Sequence, residues 1–135
     1  MSPSRRRTAT LTLLVTVAAG GSVAAQRLKP EQEALIRPAG PARSCIPIIQ
    51  IRETRVRDDR TIDFYMNDHR VYRNALPQGC PELGVERRFA YETSLSELCS
   101  VDIITVLRHT AGIQRGASCG LGKFQPVTLS GPGAN

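Results

Sequence analysis

Apolar residues fall in short alternating runs along most of this chain and crowd together only near its start. Residues 50–57 alternate around Ile51 and Val56. Residues 61–66 place Ile62, Phe64 and Met66 on one face and Thr61, Asp63 and Tyr65 on the other. A period of two marks a half-buried strand. Asp58-Asp59-Arg60 between these runs and Asn67-Asp68 after them are turn signals, and residues 71–73 form a short third strand. Strands joined by tight turns imply antiparallel pairing. Residues 87–91, carrying Phe89 and Tyr91, predict a fourth strand. Residues 98–107 are the longest β-branched apolar run after the N-terminal region and predict a central strand, with Cys99 at its mouth. Residues 119–127 close the series through Leu121, Phe124 and Val127. Residues 74–83 are irregular around Cys80, punctuated by Pro77, Gly79 and Pro81. Residues 94–97 read as a turn, and residues 109–118, with Gly112 and Gly116, read as a loop. About six short strands and no long amphipathic helix predict an all-β fold, a small antiparallel barrel or sandwich with room for one short helix.

The N-terminal region follows a different rule. Arg5-Arg6-Arg7 precedes a run from Thr8 to Gln26 without charge, and Val23-Ala24-Ala25 places small residues where a signal peptidase cuts. That order predicts a secretory signal peptide over residues 1–25. Residues 26–44, with Pro30, Pro38 and Pro41, read as a flexible leader, residues 45–128 as one β domain, and residues 129–135 as a disordered tail. The expected location is the periplasm or the cell exterior, with no stable membrane span once the signal is removed.

Charge changes meaning under this division. The chain holds 18 Lys and Arg against 12 Asp and Glu, a net charge of +6. Losing Arg5, Arg6 and Arg7 leaves +3, of which residues 26–44 carry +2. The domain itself is nearly neutral, with both signs interspersed. It has three Tyr, three Phe and no Trp. This is not the basic face with aromatic platforms that nucleic-acid binding needs, and no nucleic-acid partner is expected.

Four cysteines in an exported chain predict two disulfides. Three pairings are possible. The nested one, Cys45–Cys119 with Cys80–Cys99, is favoured because it ties the first strand to the last and the irregular loop to the mouth of the central strand. Each closure is worth roughly 3–4.5 kcal/mol in the chain-entropy model, which matters for a domain of this size. Zinc is not expected, because the spacing lacks the C-x-x-C knuckle of structural sites, and no cofactor is expected.

No catalytic constellation stands out. There are two histidines, His69 and His109, both in turns or loop edges, and there is no G-x-S-x-G. Gly120-Leu121-Gly122-Lys123 lacks the rest of a phosphate loop, and its glycines are expected to allow close backbone approach instead. Asp102 and His109 form a possible polar site. Asp102 is expected to accept backbone N–H bonds or to pair with Arg73 or Arg88.

Cys45-Ile46-Pro47, Asp58-Asp59-Arg60-Thr61-Ile62, Tyr72-Arg73-Asn74, Cys80-Pro81, the run 98–106 and Cys119-Gly120-Leu121-Gly122-Lys123-Phe124 together resemble an uncharacterised family of small exported four-cysteine proteins of alpha- and gammaproteobacteria, classed as a domain of unknown function. The resemblance spans residues 45–127 and implies a compact exported domain, with no catalytic residues to carry over. The expected role is non-enzymatic binding of an envelope component or a protein partner. The alternative is a small periplasmic enzyme, gathering Asp102, His109 and an arginine in a cleft, or an enzyme inhibitor presenting residues 74–83 as a rigid loop. A structural role without a discrete ligand is a third reading.

Overall fold

The computed structural model describes residues 36–130. The proposed signal, residues 26–35 of the leader and most of the tail lie outside this range. Ten strands are present among the described residues: β1 (Ile36–Pro38), β2 (Cys45–Pro47), β3 (Ile51–Val56), β4 (Thr61–Met66), β5 (Val71–Ala75), β6 (Phe89–Tyr91), β7 (Glu97–Cys99), β8 (Ile103–His109), β9 (Ile113–Gly120) and β10 (Phe124–Leu129), with one short helix α1 (Leu83–Glu86). They form a five-stranded antiparallel sheet in the order β1-β10-β5-β4-β3, a two-stranded sheet β2-β7, and a three-stranded sheet β6-β8-β9. The fold is all-β and disulfide-stabilised.

The three sheets share one core. Ile62, Phe64 and Met66 of β4 meet Ile46 of β2, Leu98 of β7, Ile104 and Val106 of β8, and Phe124 of β10. Phe64 makes edge-on contacts with Phe124 and Phe89, at centroid distances of 5.4 and 6.4 Å. The alternation at residues 61–66 therefore picks the core face correctly. Among the described residues β1 and β3 are the two edges of the large sheet, which does not close on itself as a barrel.

Several expectations change. β1 lies within the segment read as a leader, yet it pairs with β10 through Ile36↔Leu129 and Pro38↔Val127. Ladder pairing with β10 and the packing of the half-buried Ile36 against Val127 hold it there, although Arg37 and Pro38 stay exposed. Residues 109–118, read as a loop, contain most of β9, a strand without an apolar alternation. β10 begins at Phe124 and not at Cys119, because Asn74 takes over the preceding segment. Its buried side-chain amide donates to the Gly122 carbonyl (2.7 Å) and accepts from the Gly122 N–H (2.8 Å). A Cβ at Gly122 would lie 2.1 Å from the Ala75 carbonyl oxygen, whereas one at Gly120 would meet nothing within 4 Å, so the expected close backbone approach is found at Gly122 and not at Gly120.

The disulfide pairing also differs. All four cysteines are bonded, but as Cys45–Cys99 and Cys80–Cys119. Cys45 and Cys99 are directly opposed in the β2–β7 ladder, which excludes the nested arrangement. The loop around Cys80 is tied to β9, and the Asp59–Arg60 turn holds it as well. Cys80 N–H donates to the Asp59 carbonyl (2.6 Å), Leu76 N–H to the Arg60 carbonyl (2.8 Å), and Gly84 N–H to Asp59 Oδ1 (2.7 Å). Leu76, Cys80 and Leu83 are buried, so residues 74–83 are anchored along their inner side while Pro77, Gln78, Pro81 and Glu82 stay exposed.

The outer face of the five-stranded sheet closes on itself. Asp63 is fully buried there, directly opposite Arg73 on β5. Arg73 Nε and Nη2 donate to its two oxygens at 2.7 and 2.9 Å, and Arg57 Nε donates at 2.7 Å. Arg57 continues to the Tyr65 hydroxyl (2.7 Å). A buried carboxylate is tolerated when its lone pairs are met in this way. Beside it Tyr65, Val71 and Val127 form a second small cluster with Ile36 and Leu129.

Candidate binding face on the three-stranded sheet

β8 sets the geometry of the second outward face. Ile104 and Val106 point into the core, fully buried, whereas Ile103 is 57 % exposed on the other side. The register carries this alternation across the sheet. Ala90 of β6 and Ser118 of β9 both face Thr105, and Gly120 faces Ile103. A strand period of two would next bring residue 116 to this face.

A β-bulge breaks that rule. Thr105 opposes Ser118 but Leu107 opposes Arg115, so Val106 alone spans both Gly116 and Ala117. The extra residue turns Arg115 onto the same face as Ser118, three positions away. Gly116 suits the bulge because a Cβ there would lie 3.2 Å from both the Val106 carbonyl oxygen and Arg108 Nε. Bulges are enriched where a side chain is re-aimed beside a functional site.

The result is an open cleft of about 340 Å³. Ala90, Ile103, Thr105 and Ser118 line its floor, and Glu92 and Arg115 stand at its sides. The Thr105 and Ser118 hydroxyls are 3.0 Å apart and offer both donor and acceptor capacity to a guest. Arg115 Nη2 donates to Glu92 Oε1 at 2.6 Å, with both side chains mostly exposed. An exposed pair of this kind contributes little to stability, so either charge is free to exchange its partner. Ile113 and Val101 add further exposed apolar surface on the same small sheet and the turn leading into it.

The possible polar site is not assembled. Asp102 precedes β8 and His109 ends it, and a seven-residue strand separates them by about 20 Å. Asp102 Oδ2 accepts the Cys99 N–H at 2.6 Å, and the Asp102 N–H returns to the Cys99 carbonyl at 3.0 Å. The aspartate thus caps the turn between β7 and β8, the first of its two expected roles. Arg73 is committed to Asp63 instead. His109 is exposed, and its backbone N–H donates to Glu86 Oε2 at 3.3 Å.

Neither Asp63 nor the cleft residues stood out in the sequence. For Asp63 a signal was present. The turns at 57–60 and 67–70 set registers that place Arg55 and Arg73 opposite the same carboxylate. For Arg115 and Ser118 the bulge hid the relation, since a regular strand puts residues three apart on opposite faces.

No helix among the described residues is long and apolar enough to cross a membrane. No family model, curated protein or solved structure matches the chain.

Proposed function

We propose that this protein is an exported, non-enzymatic binding module that captures an extended segment of an envelope protein at the β6-β8-β9 face. The observation that carries this reading is a cleft that none of the described residues covers, with the long edge of β9 beside it, unpaired among the described residues. β1 ends on Pro38, β3 exposes Arg52 and Glu53, and β6 has three residues. Such features discourage strand addition. β9 has eight residues, no proline, and Arg115 as its single charge, and its bulge at Gly116–Ala117 leaves a regular register on either side, over residues 113–115 and 118–120. An added strand would pair with this edge while its alternate side chains reach the hydroxyls and the Glu92–Arg115 pair.

Export is supported by the oxidation of all four cysteines and by the signal-like order of residues 1–25. The resemblance of residues 45–127 to small exported four-cysteine proteins belongs to the same proposal. A non-enzymatic role is favoured because Asp102 serves a turn and His109 lies at the far end of β8.

Affinity capture from an envelope extract tests this reading. Ser118→Arg fills the cleft from an exposed position, so the circular dichroism spectrum stays unchanged while capture of the partner falls at least tenfold. Equal capture by both chains overturns the assignment of the face. Turnover of an envelope substrate that is lost in a folded His109→Ala variant overturns the non-enzymatic reading.

A further inference from the structure

The two disulfides sit in different surroundings. Cys80 is 1 % exposed and belongs with Cys119 to the main core. Cys45–Cys99 lies across the β2–β7 ladder, where Cys45 faces Cys99, Ile46 faces Leu98 and Pro47 faces Glu97. Ile46 and Leu98 point into the core. By the strand period of two, Cys45, Cys99 and Glu97 share the outward face. Cys99 is as buried as Cys119, each 8 % exposed, but Cys45 is only partly buried and Glu97 is exposed, so the bond is open to solvent from the Cys45 side. The two Sγ atoms and a Glu97 carboxylate oxygen all lie within 4.8 Å of one another.

We propose that Cys45–Cys99 is a reversibly reducible pair, and that its dithiol form binds a divalent cation of the zinc class through Cys45, Cys99 and Glu97. Accessibility directs a dithiol reductant to this bond first. A reductant thiolate attacks Cys45 Sγ, the Cys45–Cys99 bond breaks, and Cys99 leaves as a thiolate. The second thiol of the reductant then resolves the mixed disulfide. Two electrons pass to the protein pair, which takes up two protons, and the reductant becomes a cyclic disulfide. Metal binding releases those two protons as both sulfurs become thiolate ligands. Two thiolates, one carboxylate and a water complete the tetrahedral set that suits Zn²⁺. Thiolates about 3.8 Å apart satisfy Zn–S bonds of about 2.3 Å. Directly opposed residues with Cα atoms 4.0 Å apart can both reach one ion.

The ladder does not depend on the sulfur bridge alone. Ser100 N–H donates to the Ser44 carbonyl at 2.7 Å beyond one end, and Ile48 N–H donates to the Ser96 carbonyl at 3.0 Å beyond the other. Asp102 holds the Cys99 N–H, so it positions one ligand without touching the ion. The missing C-x-x-C knuckle, which argued against zinc in the sequence, is replaced here by cross-strand register.

The test titrates the full chain with dithiothreitol, traps free thiols by alkylation and maps them by mass spectrometry. Cys45 and Cys99 become labelled at a reductant concentration at least tenfold below that for Cys80 and Cys119, and the β-sheet circular dichroism signal is retained. Cobalt(II) then binds at one ion per chain with a thiolate charge-transfer band, and Zn²⁺ displaces it. Glu97→Gln leaves the reduction order unchanged and weakens the metal at least about tenfold. Cys45→Ser/Cys99→Ser abolishes the band. Simultaneous reduction of both disulfides, loss of the fold on opening Cys45–Cys99, absence of the cobalt band, or unchanged affinity in Glu97→Gln would each overturn the proposal.

Discussion

On the outer face of the five-stranded sheet, Asp63 disappears beneath Arg57 and Arg73, and Val71 packs with Tyr65 and Val127. On the outer face of the three-stranded sheet, Ile103 stays open to solvent and two hydroxyls line an unfilled cleft. Both faces mix charged, hydroxyl and aliphatic residues. What differs is who answers them. The large sheet supplies its own partners from adjacent strands, so its polar groups are consumed in holding the fold. The small sheet leaves its groups paired only weakly, at the surface, where another chain can displace them. Composition alone does not reveal a binding face; residual hydrogen-bonding and packing capacity does.

The sharpest way to break this contrast is Asp63→Ala. It removes the shared anion and leaves two partly buried guanidinium groups facing each other. Loss of one partner from such a network costs about 3–5 kcal/mol, and the denaturant midpoint should fall accordingly. A change below about 1 kcal/mol would mean that the large face is no more self-contained than the small one.

A matched pair of truncations sharpens the comparison at lower amplitude. Val71→Ala removes two buried methyl groups from the large face and should cost about 1.5 kcal/mol. Ile103→Ala removes more carbon from the small face yet should stay within about 0.5 kcal/mol, because that side chain is largely exposed. Equal losses in chemical denaturation would show that the small face is already covered in the isolated chain.

The same division explains what the sequence disclosed. β4 was legible because Ile62, Phe64 and Met66 turn to the common core and alternate with Thr61, Asp63 and Tyr65, and β3 and β5 were legible through the turns that flank β4 and the apolar residues Ile51, Val56, Val71 and Tyr72. The run 98–107 was only partly legible: residues 103–107 enter β8 through Ile104 and Val106, whereas Leu98 and Cys99 belong to β7 and residues 100–102 form the turn between the two strands. β9 was not legible. Its stretch Ile113–Gly120 carries a bulge, a largely exposed outer face and Cys119 as its single buried residue, so nothing in it alternates. The residues that make the cleft are thus the ones with the weakest pattern. The cysteine pairing was hidden for another reason. It depends on which short strand lies beside β2, and the three-residue ladder of β7 is too brief to show in hydropathy.

The smallest expected effect lies at the rim of the large face, where its self-pairing meets solvent. Arg55 Nε donates to Glu53 Oε1 at 2.7 Å, and the same guanidinium lies 4.6 Å from the centre of the Tyr65 ring. The hydrogen bond from Arg55 holds the exposed Glu53 carboxyl below its ordinary value, with help from the charges of Arg55, Arg52 and Arg57. A lowered folded-state value stabilises the fold above the pH at which the unfolded carboxyl ionises, and that contribution fades as pH falls through the folded-state value. Glu53→Gln should therefore lower the denaturation midpoint slightly at neutral pH, less so at high salt, and not at all in strong acid. A difference between the two chains that widens on acidification would sink the idea that Arg55 serves Glu53, and with it the view that the large face is closed to its edge.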